Sequence, residues 1–256
     1  MARAGLQLYT LRTQAAEDLY GTLRKVAELG YEGVEFDAGM LGRADPQELR
    51  SVLDEVGLEA IGLTVLLPEM GDSLDPLIEY GVTIGAEWLV MPWIDKGVRN
   101  SLNGYETVAK TLNKAAKRCV EFGLRFAYHI HGYEFSKFAE KSGMDILLET
   151  LDPLMVELQP DTFWLASADV DPFKFIKDHL DWIGSIHLKD AGGLDPLVDT
   201  EVGEGILEMR AVVDLAISKD IDWLIVEQEE SSLPMFDSIR ISLDNLKVLI
   251  DQSPSA

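Results

Sequence analysis

The sequence predicts a single (β/α)8 barrel, a parallel eight-stranded barrel ringed by helices, spanning residues 1–252 with a loose tail at 253–256. Three observations carry this. Short β-rich apolar runs alternate with longer helix-period segments from one end to the other, the pattern of repeated βα units around a parallel sheet. Between Tyr9 and Glu227, the ends of the first and last runs, lie 218 residues and seven repeats, a period of about 31 that suits a closed barrel of roughly 250 residues. The rival arrangement, a doubly wound open sheet, should follow its first strand with a glycine-rich phosphate loop, and "LQLYTLR" stands there instead.

The elements follow in order. The first run, Ala4–Tyr9, leads into a segment whose Leu19, Leu23, Val26, Ala27 and Leu29 recur at helical spacing up to Gly30. Gly33–Phe36 is the second strand, and a helix bearing Leu49, Val52, Leu53 and Val56 then ends at Gly57. Ala60–Val65 and Trp88–Met91 are the third and fourth, followed by a helix through Val108, Leu112, Ala115, Ala116, Cys119, Val120 and Phe122 that stops at Gly123. Arg125–His129, Met155–Leu158, Ile183–Leu188 and Trp223–Glu227 complete the eight. Glycine takes the left-handed conformation that ends a helix without steric penalty. Asp45-Pro46, Asp75-Pro76 and Asp171-Pro172 mark helix starts, each aspartate an N-cap and each proline pre-set for the first turn.

Composition narrows the function classes. Hydrophobic residues make up 47% and charged residues 26%, the profile of a compact domain with an ample core. Lys+Arg number 22 against 45 Asp+Glu, a net charge of −23 that repels phosphate backbones and argues against nucleic acid or an anionic membrane as partner. Cys119, the one cysteine, excludes an internal disulfide framework and lies where a small buried hydrophobe belongs. With no signal-peptide-like start and no apolar run of membrane-spanning length, a cytoplasmic protein is expected.

Polar residues at the ends of apolar strands are the informative anomaly, because burying an unpartnered carboxylate or imidazole is expensive. The fifth strand delivers His129, His131 and then Glu134; the sixth Asp161; the seventh His187; the eighth Glu227. In a barrel all C-terminal strand ends open on one face, so these side chains are expected to converge there. Glu134, Asp161, His187 and Glu227 form an oxygen-rich set suited to a divalent cation with open coordination positions. Lys189, beside His187, could bind a substrate oxygen, and Glu35, Trp93 and Trp164 near strand ends could line a pocket, since aromatic faces pack on the apolar side of sugar rings. His179 precedes the seventh strand and belongs to the opposite end of the barrel.

The stretches "GLQLYTLR", "GYEGVEF", "YHIHGYEF", "PDTFW", "IHLKDAG", "VGEG" and "WLIVEQEE" resemble the sugar phosphate isomerase/epimerase family of xylose isomerase-like barrels, in that family's order along nearly the whole chain. The resemblance implies a divalent metal, Mn²⁺ first and Mg²⁺, Co²⁺ or Zn²⁺ as alternatives, held by Glu134, Asp161, His187 and Glu227. Two departures stand out. Some relatives place the metal-binding glutamate earlier, where this chain has His129, and relatives usually read His-Asn-His where this chain has His129-Ile130-His131.

The resemblance further implies a small-molecule sugar or keto-sugar substrate and removal of the proton alpha to its carbonyl. The metal then acts as a Lewis acid toward the enediolate, Glu134 and Glu227 are the acid/base pair, His129 and His131 orient the sugar hydroxyls or act as the base themselves, and Lys189 binds a substrate oxygen or neutralises the enediolate. Proton return gives an isomerase or epimerase; loss of a β-leaving group would make a lyase or dehydratase on a keto-sugar or inosose. A sugar-binding barrel without catalysis is the non-enzymatic alternative, and self-association into a homo-oligomer is compatible with each. The endonuclease of abasic DNA sites built on the same barrel needs a histidine-rich three-metal cluster and a basic surface, which four histidines and −23 do not supply.

Overall fold

The eight apolar runs become the parallel strands of one sheet: β1 Arg3–Gln7, β2 Gly33–Phe36, β3 Glu59–Thr64, β4 Trp88–Met91, β5 Arg125–Ile130, β6 Val156–Pro160, β7 Ile186–Leu188 and β8 Trp223–Val226. The computed structural model describes residues 2–37, 39 and 44–253; of the expected tail, only Ser253 lies within them. The spatial order is β6-β5-β4-β3-β2-β1-β8-β7, with every pairing parallel. Bridges Leu158–Ile183 and Asp161–His187 join β6 to β7 and complete the ring. The predicted barrel is therefore the observed fold, with strand ends displaced by a few residues. The first strand, for instance, stops at Gln7 because Leu8–Leu11 winds into a 3-10 turn.

The helix punctuation is largely as the sequence implies. Gly30, Gly57 and Gly123 have φ of 99°, 75° and 81°. Asp45 and Asp171 cap the helices Pro46–Val56 and Pro172–Asp178 by accepting backbone N–H bonds. Asp75 is different: the helix Leu74–Ile84 begins before it, and its carboxylate instead receives Arg118 at 2.8 Å. The Asp75-Pro76 pair thus sits inside a first turn, where a missing N–H breaks no intrahelical bond.

The barrel interior is asymmetric along its axis. Its N-terminal end and middle are filled by Ile61, Trp88, Val90, Ala127, Trp223 and Ile225. Gly5 and Gly33 make room for them: a Cβ at Gly33 would stand 2.6 Å from the Trp223 ring, and one at Gly5 2.4 Å from Ile61. Below the indoles lies a charged rim, with Arg3 over Trp223 and Arg125 over Trp88 at 3.9 and 4.0 Å. The indole N–H groups donate to Glu157 and Glu87. The polar side chains Gln7, Glu35, His129, Gln159 and His187 gather beyond this plug, at the other end.

Candidate active site

Each strand sends one side chain into a cavity at the C-terminal end of the barrel: Gln7, Glu35, Thr64, Val90, His129, Gln159 and His187 from β1 to β7, and Glu227 just past β8. The cavity measures about 290 Å³, near the small end of the range for ligand sites. Tyr9, Trp93, His131, Trp164 and Glu229 wall its mouth.

At the floor, His129, Asp161, His187 and Glu227 present one ligand atom each, all within 4.8 Å of one another. All four are buried. Strand alternation explains His129: in β5, Ala127 faces the barrel interior, so His129 does too, while Phe126 and Tyr128 face the helices. Asp161 and His187 are brought side by side by the bridge that closes the barrel.

The surrounding bonds fix these side chains. Gln159 Nε2 donates to Glu35 Oε2 at 2.7 Å, so its carbonyl Oε1 is left to accept from His129 Nδ1 at 2.9 Å. That assigns the proton to Nδ1 and the lone pair to Nε2, the form in which imidazole binds metals. Burial, helped by the charge of His187, lowers the His129 pKa to about 4 and keeps the ring neutral. His187 lies between Glu227, 2.6 Å from Nδ1, and Glu35, 3.0 Å from Nε2. Burial opposes its protonation, but the two carboxylates win and raise it to about 10. Glu227 is held well below the usual carboxylate range, the hydrogen bond from His187 and the Lys189 charge outweighing its burial.

Asp161 shows most directly that the group fits a cation. Its Oδ1 caps the following turn by accepting the N–H of Trp164 at 2.9 Å, while Oδ2 is buried without a partner. Burial raises its carboxyl to about 7. A bare buried carboxylate oxygen beside an imidazole lone pair and a second carboxylate is a donor set for a divalent ion, and the mixture of N and O suits Mn²⁺, Zn²⁺ or Co²⁺.

The other candidates fall at graded distances from this floor. Glu35 sits 1% exposed within the cavity wall, bonded to Gln7, Gln159 and His187. His131 lines the mouth, with its ring stacked on Tyr133 at 5.2 Å. Trp93 and Trp164 line it as well. Lys189 is buried beside the cavity, its Nζ 2.5 Å from Glu229 and 4.9 Å from the ring of Trp164. Glu134 does not join the cluster. It belongs to the turn Tyr133–Phe135 beyond β5, where Oε1 accepts from the Tyr128 hydroxyl at 2.6 Å and from the His131 N–H at 3.1 Å. Burial raises it to about 7. His179 caps Pro172–Asp178, away from the cavity as expected.

Gln7, Thr64 and Gln159 were not anticipated, although the signal that flags His129, a polar residue at an apolar strand's end, applies equally to them. Among the described residues no helix is long and apolar enough to cross a membrane.

Comparison with known proteins agrees with this architecture. An inosose dehydratase of Geobacillus kaustophilus is 27% identical over 247 residues, covering 81% of this chain and 79% of that protein. The structure of a sugar phosphate isomerase/epimerase from Parabacteroides distasonis superposes with a TM-score of 0.83 at 18% identity, over 96% of both chains. That of an IOLI protein with a bound zinc atom gives 0.77 at 14% identity, over 99% of this chain and 100% of the other; at such identities both likenesses speak for the fold. The sequence model of the xylose isomerase-like TIM barrel matches residues 23–251, and the chain belongs to that family.

Proposed function

We propose that this enzyme binds a divalent metal through His129, Asp161, His187 and Glu227 and removes a proton alpha to the carbonyl of a keto-sugar or related keto-polyol, as an isomerase or epimerase. The observation that carries the reading is the four-residue cluster, of which His129, His187 and Glu227 line a small cavity while Asp161 Oδ2 is buried and unpartnered beside them. When bound, the metal supplies Lewis acidity and orients the carbonyl.

The chain's own residues do the rest. Glu35 holds His187 through Nε2, and Gln159 fixes the tautomer of His129 while bridging to Glu35. Glu227 and His131, both facing the cavity, are the candidate proton carriers. His131 is kept neutral chiefly by burial, so its ring nitrogen keeps a lone pair, and a bound substrate would have to raise its basicity for it to take a proton. Gln7 and Thr64 offer groups for substrate hydroxyls, and Trp93 and Trp164 close the mouth against water. Glu134 acts on this scheme from behind, holding the backbone of His131. The similarity to an inosose dehydratase over most of the chain supports a second reading, loss of a β-hydroxyl from the same deprotonated substrate.

The test is deuterium exchange. Metal-free protein is reloaded with Mn²⁺ and incubated in D₂O with ketoses, keto-sugars and inososes, with products read by NMR. Exchange alpha to the carbonyl, dependent on metal and reduced by about 100-fold or more in Glu227→Gln, is the expected result, and the product separates epimerase, isomerase and dehydratase. Exchange that persists undiminished in Glu227→Gln rejects the proposed site.

A further inference from the structure

Beside the strand-end cavity a second, wider recess of about 640 Å³ opens, and Trp93, His131 and Trp164 belong to the walls of both. The inner cavity, at about 290 Å³, accommodates one small ring. Two polar atoms at the junction, His131 Nδ1 and Trp164 Nε1, are buried with no hydrogen-bond partner. Leaving such an atom unmet is costly, so a ligand spanning the junction has two donors or acceptors to satisfy.

The outer recess has its own recognition chemistry. Trp93 is 44% exposed there, and Tyr133 presents a ring on which the Arg99 guanidinium lies at 3.6 Å. Stacking fixes the guanidinium but leaves its in-plane N–H groups able to donate. Asp169 shares the recess and supplies acceptors. A donor fork, a carboxylate and aromatic walls suit the hydroxyls and apolar face of a neutral sugar ring, whereas Asp169 and the strongly acidic chain oppose a phosphate or carboxylate ligand.

We infer that the preferred substrate is a two-ring glycoside, with its keto ring in the inner cavity and a second, neutral sugar ring in the outer recess against Trp93, Arg99 and Tyr133. This rests on the keto-sugar reading above. Trp93 and Trp164 form the waist between the two subsites, and binding energy from the outer ring serves to position the inner one.

The experiment compares Mn²⁺-loaded protein on one-ring probes, scyllo-inosose and 3-ketoglucose, with two-ring probes, 3-ketocellobiose and 3-ketotrehalose. Dissociation constants come from quenching of tryptophan emission and KM from deuterium exchange. The two-ring probes are expected to bind roughly tenfold or more tightly than the one-ring probes. That ratio should fall to about one in Arg99→Ala, and in Ser167→Trp, which fills the recess from an exposed position. Exchange of one-ring probes with no gain from a second ring, or variants that weaken both classes alike, overturns the second subsite and leaves the chemistry standing. Failure of every probe to bind and exchange overturns both.

Discussion

His187 shows how one residue sets the pH behaviour of the whole site. Between two carboxylates it keeps its proton to about pH 10, while Asp161 keeps one to about 7. A metal needs the lone pairs that these protons occupy, so uptake must release them. Affinity for Mn²⁺ should therefore rise with pH through about 7, where Asp161 gives up its proton, and on to about 10, where His187 does, and weaken below about 7. Calorimetric titration in buffers of different ionisation enthalpy counts those protons, and a flat profile would place the ion elsewhere. The choice between His129 and Glu134 is equally open to measurement. His129→Ala should lower metal affinity by about 100-fold or more, whereas Glu134→Gln should leave it within about threefold. Equilibrium dialysis reads both. The period-two alternation of β5 carries Ala127, His129 and His131 along one face, which was legible in the sequence. Glu134 lies past the strand, in a turn whose direction alternation does not set. His187 and Glu227 fall where strand ends put them, so that part of the cluster could be read from pattern alone.

At the scale of elements, Asp190 ties together what the chain leaves loose after β7. Here the backbone turns into a hairpin, Asp190–Leu194 with Leu197–Thr200, that βα periodicity did not foresee. The buried Asp190 carboxylate accepts the N–H groups of Ala191, Gly203, Gly205 and Leu207 at 2.8, 3.0, 3.2 and 3.2 Å. A Cβ at Gly205 would stand 2.2 Å from Asp190 Oδ1, and Gly203 has a φ of 85°, so both glycines of "VGEG" are required by the same anchor. The motif could be seen in the sequence, but its partner, 13 and 15 residues upstream of the two glycines, could not. Asp190→Ala should cost about 3 kcal/mol, since buried N–H groups lose a charged acceptor. Urea unfolding gives the magnitude. Hydrogen exchange at Gly203, Gly205 and Leu207 should accelerate far more than in the barrel strands, and an equal response in both would mean that Asp190 supports the barrel as a whole.

Across the whole molecule, stability and chemistry occupy opposite ends of one barrel. Trp88 and Trp223 fill the N-terminal end, buried to 1% and 0% exposure, and the rim of Arg3, Arg125, Glu87 and Glu157 closes over their edges. The ligand-type cluster and its cavity occupy the other end. Strand alternation made the inward-facing positions of the sequence readable, but which inward residues form the plug depends on glycines two strands away. Gly33 admits the Trp223 ring, and a Cβ there would also meet the Glu59 carbonyl at 3.0 Å, a contact between elements that no local pattern encodes. Truncating the plug should therefore cost stability without touching the site. Trp223→Ala is expected to lose about 3–5 kcal/mol, the range for a large buried aromatic whose cavity cannot fully collapse. Well below the lowered melting temperature, its affinity for Mn²⁺ should stay within about twofold of the parent, because ligand geometry is set by strand ends at the far side of the sheet. Thermal denaturation followed by circular dichroism, with Mn²⁺ titration on the same sample, measures both quantities. A large loss of metal affinity in a folded Trp223→Ala protein would show that the plug, through barrel shape, sets the ligand spacing, and that the two ends are not independent.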